Sequence, residues 1–585
     1  MIQRLSYLWP FLRPHRRKIL FGLVTILASV LIGLAGPLLV GRAVDAVRQH
    51  ASYRLLVGFA ALLVGLSVCQ GVFSYLQRMI LVGMSRDIEF ELRNVFFDAL
   101  ERQPAGYFQD HPTGDLMARA TNDLQAVRMV CGPALMYATT TLITGAGCLF
   151  FMLRINVLLT LIALVAMPLV VVSTIVFGRR IHGLFSSVQG KFADITAKTQ
   201  ESLAGVRVVR AYAQEAREEA EFARVNQEYL EGNRRLAAWS TAMHPMLQML
   251  IGIGFAAVMW YGGLLVVGGR ISVGEFVSFN LFLTKLIWPV IALGWVVNLT
   301  QRGTASLARI RTVLDMEPAI RDEEPLVEPV NDRGAIQGDI SFRGLTFSYK
   351  EGTEPVLEGI DLQVAAGQTV AVVGRTGSGK STLLNLIPRL IDPPAGMLWV
   401  DGTDVRRLPL ARLRSAIGMV PQETFLFSAT LRENIALGRP EATLEEVAEA
   451  ARLAGLGSDL GTFPKGLDTV VGERGLTLSG GQKQRVALAR ALLRQSSILL
   501  LDDCLSAVDT HTEEEILKNL RTVFRGRTVF LVSHRVSTVK DADVILVLER
   551  GRIVERGTHS QLTVSGGLYA ELHQRQLLEE ELAAV

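Results

Sequence analysis

Cysteine and net charge are both scarce in this sequence, and each shortage excludes a class of protein. The 585 residues contain only four cysteines, Cys69, Cys131, Cys148 and Cys504. They have no paired spacing, and three lie in or beside apolar segments, so we expect neither a disulfide framework nor a zinc site. The formal net charge is +4, and no basic tract is dense enough to indicate a nucleic-acid partner.

Apolar residues, in contrast, are abundant and unevenly distributed. They make up 49% of the chain against 20% charged residues, which is more apolar surface than a fully soluble protein normally carries. Nearly all the long apolar runs lie within residues 1–305. The N-terminal stretch "RPHRRK" precedes such a run without a small-residue cleavage site, so we expect a membrane segment there and not a cleavable signal peptide.

Six apolar segments are long enough to cross a membrane. Each has about 20 residues or more, which at a rise of about 1.5 Å per residue matches a hydrocarbon core of about 30 Å. The predicted spans are Ile19 to Val40, Leu55 to Leu76, Gly132 to Leu153, Ile155 to Gly178, Pro245 to Gly268 and Phe276 to Leu299.

The connections between these spans predict an orientation and a division into domains. Long polar stretches follow the second and fourth spans, and together with the basic cluster at 13–18 they are expected in the cytoplasm, although arginines in the first outer loop oppose this orientation. After the sixth span comes a charged, proline-bearing linker, and then short β-rich runs alternate with helical stretches, as in an α/β domain. The predicted divisions are a transmembrane domain (1–310), a linker (311–337), an α/β domain (338–575) and a C-terminal tail (576–585).

The stretch "TVAVVGRTGSGKSTLLNLI" has the form of a phosphate-binding P-loop, because an apolar strand runs into a glycine-rich turn and then a helix. The glycines let backbone N–H groups wrap phosphates, Lys380 reaches the β and γ oxygens of ATP, and Ser381 is suited to ligate Mg²⁺. The predicted loop residues are Gly374, Arg375, Thr376, Gly377, Ser378, Gly379, Lys380, Ser381 and Thr382.

Two further motifs complete a nucleotide site. The buried-strand pattern "SILLLD" ends in Asp502, which is predicted to hold the Mg²⁺ shell. The motif "LSGGQ" places Ser479, Gly480, Gly481 and Gln482 at the start of a helix, where N–H groups are able to meet a phosphate. This motif resembles the signature of ATP-binding cassette proteins, and with six spans before it the chain resembles an ABC exporter half-transporter over nearly its full length.

The resemblance implies roles for several other positions. In that family the signature contacts the γ-phosphate of the ATP bound to a second subunit. A segment like "TVVGERG", Thr469 to Gly475, contacts the opposite subunit's cytoplasmic helices. The remaining matches are Tyr349 for stacking on adenine, Gln422 for contacting Mg²⁺, Asp509 for bridging the two nucleotide sites, and His534 for contacting the γ-phosphate.

Asp503 departs from the family pattern, which has a catalytic glutamate directly after the strand-terminal aspartate. Its carboxylate is withdrawn by roughly one bond length, and a misplacement of about 1 Å costs on the order of 100-fold in rate. An aspartate here resembles the pattern of heterodimeric exporters, in which one subunit lacks the glutamate and a different partner chain supplies it. Two alternatives remain: a homodimer in which aspartate is an adequate base, and an ATP-gated channel or regulator.

The membrane half offers coupling and substrate candidates. The resemblance implies coupling segments around Gly106 to Asp123 and around Gly205 to Glu215. Lys285 is the one clear charge at membrane depth, and with Asn280 and Gln248 it forms a substrate-site hypothesis; the alternative is snorkelling or an interhelical bond. The expected substrate is a small amphipathic drug, lipid or peptide, crossing a cytoplasmic membrane with the nucleotide domain on the cytoplasmic side.

Overall fold

A computed structural model describes residues 6–322, 326, 335–350, 352–472 and 478–584. The chain divides into two compact units. The first comprises Met1–Glu101 and Gly114–Met316, and the second comprises Arg102–Thr113 and Glu317–Val585. The first unit is helical and the second is mainly α/β, which confirms the predicted fold class of six spanning helices fused to an α/β domain.

Six helices in the described part of the chain are long and apolar enough to cross a membrane. Each contains most or all of one predicted span, and each is 42 to 53 residues long, so it also extends well beyond the hydrocarbon core. The polar stretches predicted between spans are therefore largely continuations of the same helices. The six are Ser6–Arg48, Tyr53–Glu101, Thr113–Ile155, Val157–Ala204, Glu215–Val267 and Val273–Leu314.

The helices up to residue 314 follow one another with short connections. In chain order they are α1 (Trp9–Leu12), α2 (Arg16–Arg48), α3 (Tyr53–Glu101), α4 (Ala105–Asp110), α5 (Thr113–Ala118), α6 (Leu124–Met129), α7 (Leu135–Ile155), α8 (Val157–Ala204), α9 (Val206–Ala211), α10 (Glu215–Val267) and α11 (Val273–Leu314). Short 3₁₀ turns occupy Ser6–Leu8 and Arg13–His15, and π turns occupy Arg119–Asp123 and Val130–Ala134.

Local sequence explains where these helices begin and how they tolerate proline. Asn156 caps α8 by accepting a hydrogen bond from the Leu159 amide at 2.9 Å. Ser272 starts α11 with a capping box that includes Glu275. The helix α11 then continues through Pro289, because neighbouring groups in a helical bundle are able to satisfy a freed carbonyl.

The described part of the second unit forms two sheets. The strands are β1 (Ile340–Phe347), β2 (Leu357–Val364), β3 (Thr369–Gly374), β4 (Leu398–Val400), β5 (Thr403–Asp404), β6 (Ile417–Val420), β7 (Ile498–Asp502), β8 (Thr528–Val532), β9 (Val544–Glu549) and β10 (Arg552–Gly557). A four-stranded antiparallel sheet has the order β2-β1-β4-β5. A six-stranded sheet has the order β10-β9-β3-β8-β7-β6 and is parallel except for β10.

Ten described helices belong to the same unit beyond residue 338. They are α12 (Lys380–Leu386), α13 (Leu410–Ser415), α14 (Leu431–Ala436), α15 (Leu444–Leu453), α16 (Gly457–Leu460), α17 (Gly480–Leu493), α18 (Thr510–Phe524), α19 (Val536–Val539), α20 (His559–Ser565) and α21 (Leu568–Ala584). Strands β7 and β8 are buried along their whole length, as expected for parallel strands that are covered on both faces.

The strand order places the chemistry at one edge of the larger sheet. Strands β3, β8 and β7 are neighbours and run parallel, so their carboxyl ends meet. They end at Gly374, Val532 and Asp502, respectively. The phosphate loop, the segment containing His534 and the Asp502–Asp503 pair are thereby brought together, as is usual for ligand sites of open α/β sheets.

Two predicted boundaries differ from the observed helices. The helix α11 continues to Leu314, inside the predicted linker. The helix α21 crosses the predicted start of the tail, and the Val536 amide donates to Gln576 Oε1 at 2.6 Å, so the tail begins within packed structure. Of the predicted "TVVGERG" segment, residues 473–475 lie outside the described residues.

Candidate nucleotide site and membrane cavity

A cavity of about 220 Å³ lies at the carboxyl edge of the larger sheet. Its walls include the loop residues 376–382 together with Val356 and Val532, two apolar residues that the sequence did not indicate. It also brings together the predicted side chains that are far apart in sequence, namely Gln422, Asp502, Asp503 and His534. A P-loop, a carboxylate pair and a histidine therefore face one space.

The phosphate loop requires glycine at Gly379. This residue has φ +100°, a left-handed conformation, and a Cβ there would lie 2.7 Å from Leu357 Cδ2 and 2.9 Å from the Val356 carbonyl oxygen. Substitution would therefore displace the loop or β2. Gly374 and Arg375 begin the loop but do not line the cavity. Their carbonyl oxygens accept hydrogen bonds from the Lys380 side chain.

Lys380 is the buried cation of this loop. Its side chain is buried, and Nζ donates to the carbonyl oxygens of Gly374 and Arg375, both at 2.9 Å. Burial lowers the pKa of Lys380, while the nearby Asp502 and Asp503 carboxylates act in the opposite direction. The buried hydroxyl of Ser378 has no hydrogen-bond partner among the described residues. A buried ammonium and an unpartnered hydroxyl are groups that an anion would satisfy.

Asp502 is 3% exposed, and burial raises the pKa of its carboxyl group. A hydrogen bond from the Ser381 hydroxyl and the positive charge of Lys380 lower that pKa, whereas the neighbouring Asp503 raises it further. A buried carboxylate is costly unless a cation or hydrogen bonds compensate it. The hydroxyl of Ser381, the amide of Gln422 and the carboxylate of Asp502 together offer the hard oxygen ligands that Mg²⁺ prefers.

Asp503 has an unusual backbone conformation, with φ +49°. Its amide donates to the Val532 carbonyl at 3.0 Å, and its own carbonyl accepts from the Ser506 hydroxyl at 3.0 Å. These two hydrogen bonds hold the backbone of Asp503 in this conformation. Aspartate tolerates the left-handed region better than most residues because its short polar side chain bonds locally. The side chain is half-buried and lines the cavity.

Tyr349 lies beside the cavity and not in its wall. The residue is 57% exposed, and its ring packs edge-on against Phe347 at 5.3 Å between centroids. Its hydroxyl is 3.0 Å from the Thr382 hydroxyl, which does line the cavity. An exposed aromatic face next to a phosphate loop is available for stacking.

The signature residues begin α17 and do not line the cavity of their own chain. Ser479 and Gln482 form a reciprocal capping box, with the Gln482 amide donating to Ser479 Oγ at 3.2 Å and the Ser479 amide donating to Gln482 Oε1 at 3.0 Å. A Cβ at Gly481 would lie 2.6 Å from the Ala507 carbonyl oxygen, so only glycine permits this approach. Gly480 precedes it in the same turn.

Asp509 is likewise outside the cavity. Its side chain caps α18 by accepting a hydrogen bond from the Thr512 amide at 2.9 Å, and this bond lowers the pKa of Asp509. The segment that precedes Asp509 contacts Gln484 on α17. The sequence analysis did not identify Gln484. Gln484 Nε2 donates to Ser506 Oγ, and Gln484 Oε1 accepts from the Ala507 amide, both at 2.9 Å. Its spacing of three from Gly481 places it on the same helix face.

The first unit contains a second cavity of about 430 Å³ among α8, α10 and α11. Most of its lining is apolar, and its polar members are Thr174, His244, Gln248 and Thr284. The Gln248 amide nitrogen hydrogen-bonds the His244 ring nitrogen at 3.2 Å. The sequence analysis missed His244, although it lies one helical turn before the predicted Gln248.

The other two substrate candidates do not line this cavity. Lys285 Nζ donates to the Gly33 carbonyl oxygen at 2.6 Å, which is the interhelical bond named above as the alternative. The Asn280 amide nitrogen donates to the Phe276 carbonyl of its own helix at 2.9 Å. Of the three predicted residues, only Gln248 lines this cavity.

Comparisons with known proteins agree with this arrangement. Residues 19–290 match the family described as ABC transporter transmembrane region, and residues 357–506 match the family described as ABC transporter. A structure described as a bacterial Atm1-family ABC exporter with ATP bound is similar with a TM-score of 0.77 and 30% identity, covering 96% of this chain and 98% of that chain.

Curated relatives are similar over nearly the whole length. The probable multidrug resistance ABC transporter ATP-binding/permease protein YheI of Bacillus subtilis is 36% identical, covering 99% of this chain and 98% of the relative. The multidrug resistance-like ATP-binding protein MdlA of Escherichia coli is 38% identical, covering 98% and 96%. The ATP-dependent lipid A-core flippase of Syntrophus aciditrophicus is 36% identical, covering 97% and 94%. The chain therefore belongs to the ABC transporters, as an ATP-driven half-transporter of the exporter type with one transmembrane domain and one ATP-hydrolysing domain.

Proposed function

We propose that the cavity at the sheet edge binds ATP with Mg²⁺ and that each side chain facing it has a separate task. Lys380 and the loop amides hold the phosphates, His534 contacts the γ-phosphate, and Tyr349 stacks on the adenine. Support comes from the shared cavity, the buried ammonium of Lys380 and the exposed ring of Tyr349. Replacing Lys380 with alanine should weaken ATP binding, and unchanged affinity would contradict the assignment.

Ser381, Gln422 and Asp502 are the residues that would hold Mg²⁺. The ion supplies positive charge against the phosphate oxygens when it is bound. The chain's own contribution is to keep oxygen ligands in place: burial fixes Asp502, and the Ser381 hydroxyl bonds to it. A magnesium-bound nucleotide needs few protein ligands because phosphates and waters complete its coordination.

Half-transporters of this kind dimerise, and we propose that the signature of this chain serves its partner's nucleotide. Ser479, Gly480, Gly481 and Gln482 do not line their own cavity, and neither does Asp509. Gly480 and Gly481 lie against Ala507 in the segment 503–509, which Gln484 binds to α17. An arrangement of this kind leaves the signature free to face a second subunit.

We further propose that the partner is a different chain and that this chain owns the weaker ATP site. The observation that carries the proposal is Asp503, which follows Asp502 in the cavity wall but has a shorter side chain than the glutamate of competent sites. A carboxylate that stops short of the attacking water positions it poorly. Tight nucleotide binding with slow turnover is the expected property of such a site.

A mixed dimer separates this proposal from its alternatives. With a glutamate-bearing partner, Asp503→Asn should change the ATPase rate only modestly, whereas glutamine in place of the partner's glutamate should nearly abolish it. Equal losses would favour two equivalent sites, as in a homodimer with aspartate as base. An absence of ATPase activity with every cognate partner would favour an ATP-gated channel or regulator.

For the membrane half, we propose export of small amphipathic molecules across the cytoplasmic membrane, with the nucleotide domain in the cytoplasm. The cavity among α8, α10 and α11 is apolar with few polar groups, which suits such a ligand. The descriptions of relatives as multidrug resistance proteins and as a lipid A-core flippase support the same substrate class. Transport of fluorescent amphipathic dyes in inverted membrane vesicles, with and without ATP, tests this assignment.

We propose that the two predicted coupling segments transmit nucleotide-driven motion. Each contains a short helix, α4 in the first and α9 in the second. Residues Arg102–Thr113, which include α4, belong to the same compact unit as the nucleotide domain although they lie between two spanning helices in sequence. Nucleotide shifts the transporter only through its different affinities for the two membrane conformations.

A further inference from the structure

An ion pair between a buried carboxylate and a partly exposed guanidinium lies outside the wall of the candidate nucleotide cavity. Glu513 on α18 is 3% exposed, and its carboxylate accepts hydrogen bonds from the Arg535 guanidinium and, at 2.6 Å, from the Thr538 hydroxyl. Its sequence neighbours Glu514 and Glu515 are exposed on the same helix. Glu513 is therefore distinguished from its neighbours by its contacts and not by its residue type.

The ion pair connects the two segments that follow β7 and β8. Arg535 comes directly after His534, and Arg535 Nη1 also donates to the Val508 carbonyl at 3.3 Å. Val508 precedes Asp509 in the segment after β7. The Arg535 amide donates to Ser533 Oγ at 3.0 Å, which holds the backbone on the other side of His534. The Glu513 carboxylate thus fixes the Arg535 guanidinium, which connects the segment after β7 to the segment after β8.

Such a pair has more value for geometry than for stability. Desolvation of the buried Glu513 carboxylate and solvent screening at the partly exposed Arg535 guanidinium offset most of their mutual attraction, so the pair contributes little net stability. Its directional bonds, however, restrict the backbone on either side of Arg535. A side chain that must meet a phosphate oxygen needs placement within about 0.5 Å, and neighbouring hydrogen bonds supply such placement.

We propose that Glu513 is a positioning residue that acts through Arg535 to hold His534 toward the γ-phosphate of ATP. The inference rests on the proposed function in that it takes His534 as the γ-phosphate contact. Its consequence is specific: loss of the Glu513 charge should reduce the preference for ATP over ADP, because only ATP carries the group that His534 meets. Affinity for the remainder of the nucleotide should not change.

The test uses the purified full-length protein in lipid nanodiscs and measures dissociation constants for MgATP and MgADP by competition with a fluorescent nucleotide. Glu513→Gln preserves side-chain shape while removing the charge that holds Arg535. The expected result is about tenfold weaker MgATP binding with MgADP binding within about twofold of the parent. Glu514→Gln, a matched change at an exposed position of the same helix, should leave both constants unchanged.

Two comparison variants make the result decisive. His534→Ala should lose the same preference as Glu513→Gln, and adding Glu513→Gln to Arg535→Gln should cost nothing further, because both residues act through one contact. If His534→Ala loses the preference and Glu513→Gln keeps it, the inference fails while the proposed nucleotide site stands.

Two other results also overturn the proposal. Equal weakening of MgATP and MgADP by Glu513→Gln would show general disruption of the domain and not placement of His534. A parent protein that does not distinguish MgATP from MgADP, or whose preference survives His534→Ala, would remove both the inference and the proposed role of His534. Thermal unfolding of each variant, followed in parallel, identifies any loss of folded protein.

Discussion

Lys285 Nζ lies 2.6 Å from the carbonyl oxygen of Gly33, the carbonyl that Pro37 leaves without its helical donor. A residue four positions before proline loses its hydrogen bond because proline has no N–H. Ser278 of the same helix donates to the Pro37 carbonyl at 2.9 Å, so α11 contacts the altered turn of α2 twice. The charge at membrane depth thereby compensates a defect in a neighbouring helix.

This relationship predicts that Lys285→Met destabilises the protein by about 1 to 3 kcal/mol, the usual cost of leaving a buried polar group unsatisfied. Pro37→Ala restores the N–H of that turn, so the double variant should recover most of the lost stability. Thermal unfolding in detergent measures both effects. A Lys285→Met protein that changes substrate selectivity without a lower unfolding temperature would instead support the substrate-site hypothesis.

Asp503→Glu should raise the ATPase rate of the purified chain by about tenfold or more, because the added methylene returns the carboxylate toward the attacking water. Binding of MgATP should change little. The substitution carries a backbone cost on the order of 1 kcal/mol, since φ at this position is +49° and glutamate bonds locally less well than aspartate.

Asp503→Asn is the matched control for that experiment. If it abolishes activity while Asp503→Glu gives no gain, aspartate is itself an adequate base and the site is not weak. Steady-state phosphate release at saturating MgATP separates the two results, and nucleotide affinity measured in parallel shows whether either variant has lost binding.

The raised pKa of Asp502 predicts a pH dependence with a definite sign. Burial penalises the charged form, so the nucleotide-free protein is destabilised at neutral pH, and the penalty fades as the pH falls through the raised pKa toward the ordinary value of 3.8. Asp502→Asn should therefore raise the unfolding temperature without nucleotide at neutral pH, with a gain that shrinks in acid.

The same residue should show the opposite effect when Mg²⁺ and ATP are present. The parent should gain more thermal stability from MgATP than Asp502→Asn does, because a charged carboxylate binds Mg²⁺ more strongly than the neutral amide that replaces it. Asp194→Asn, at an exposed position of α8, is the control and should follow the parent at every pH. The assigned role would be contradicted if Asp502→Asn did not raise the unfolding temperature in the absence of nucleotide and if MgATP stabilised it as much as the parent.

Motifs that combine strand, turn and helix signals were predictable from sequence because their chemistry is local. The phosphate loop follows β3 and Asp502 ends β7, and the parallel order of those strands brings them together without any information about side chains. Lys285 was different: its role depends on Pro37, which lies far away in sequence on another helix. The ion pair of Glu513 and Arg535 was not predictable for the same reason. Glu513 is followed by two further glutamates, so the sequence gives no local signal that it is buried.

The hydrogen-bonded pair of His244 and Gln248 predicts how the membrane cavity selects its ligands. Gln248→Leu removes one of the four polar side chains in a mostly apolar wall, so substrates that hydrogen-bond to Gln248 should lose about tenfold in apparent affinity while purely apolar ones are retained. The ATPase rate without substrate should stay unchanged. Thr284→Val is a matched control in the same cavity, because the Thr284 hydroxyl already donates to the Asn280 carbonyl of its own helix at 2.9 Å. Dye transport in inverted vesicles measures the affinities, and equal losses from Gln248→Leu and Thr284→Val would show that the pair has no selective role.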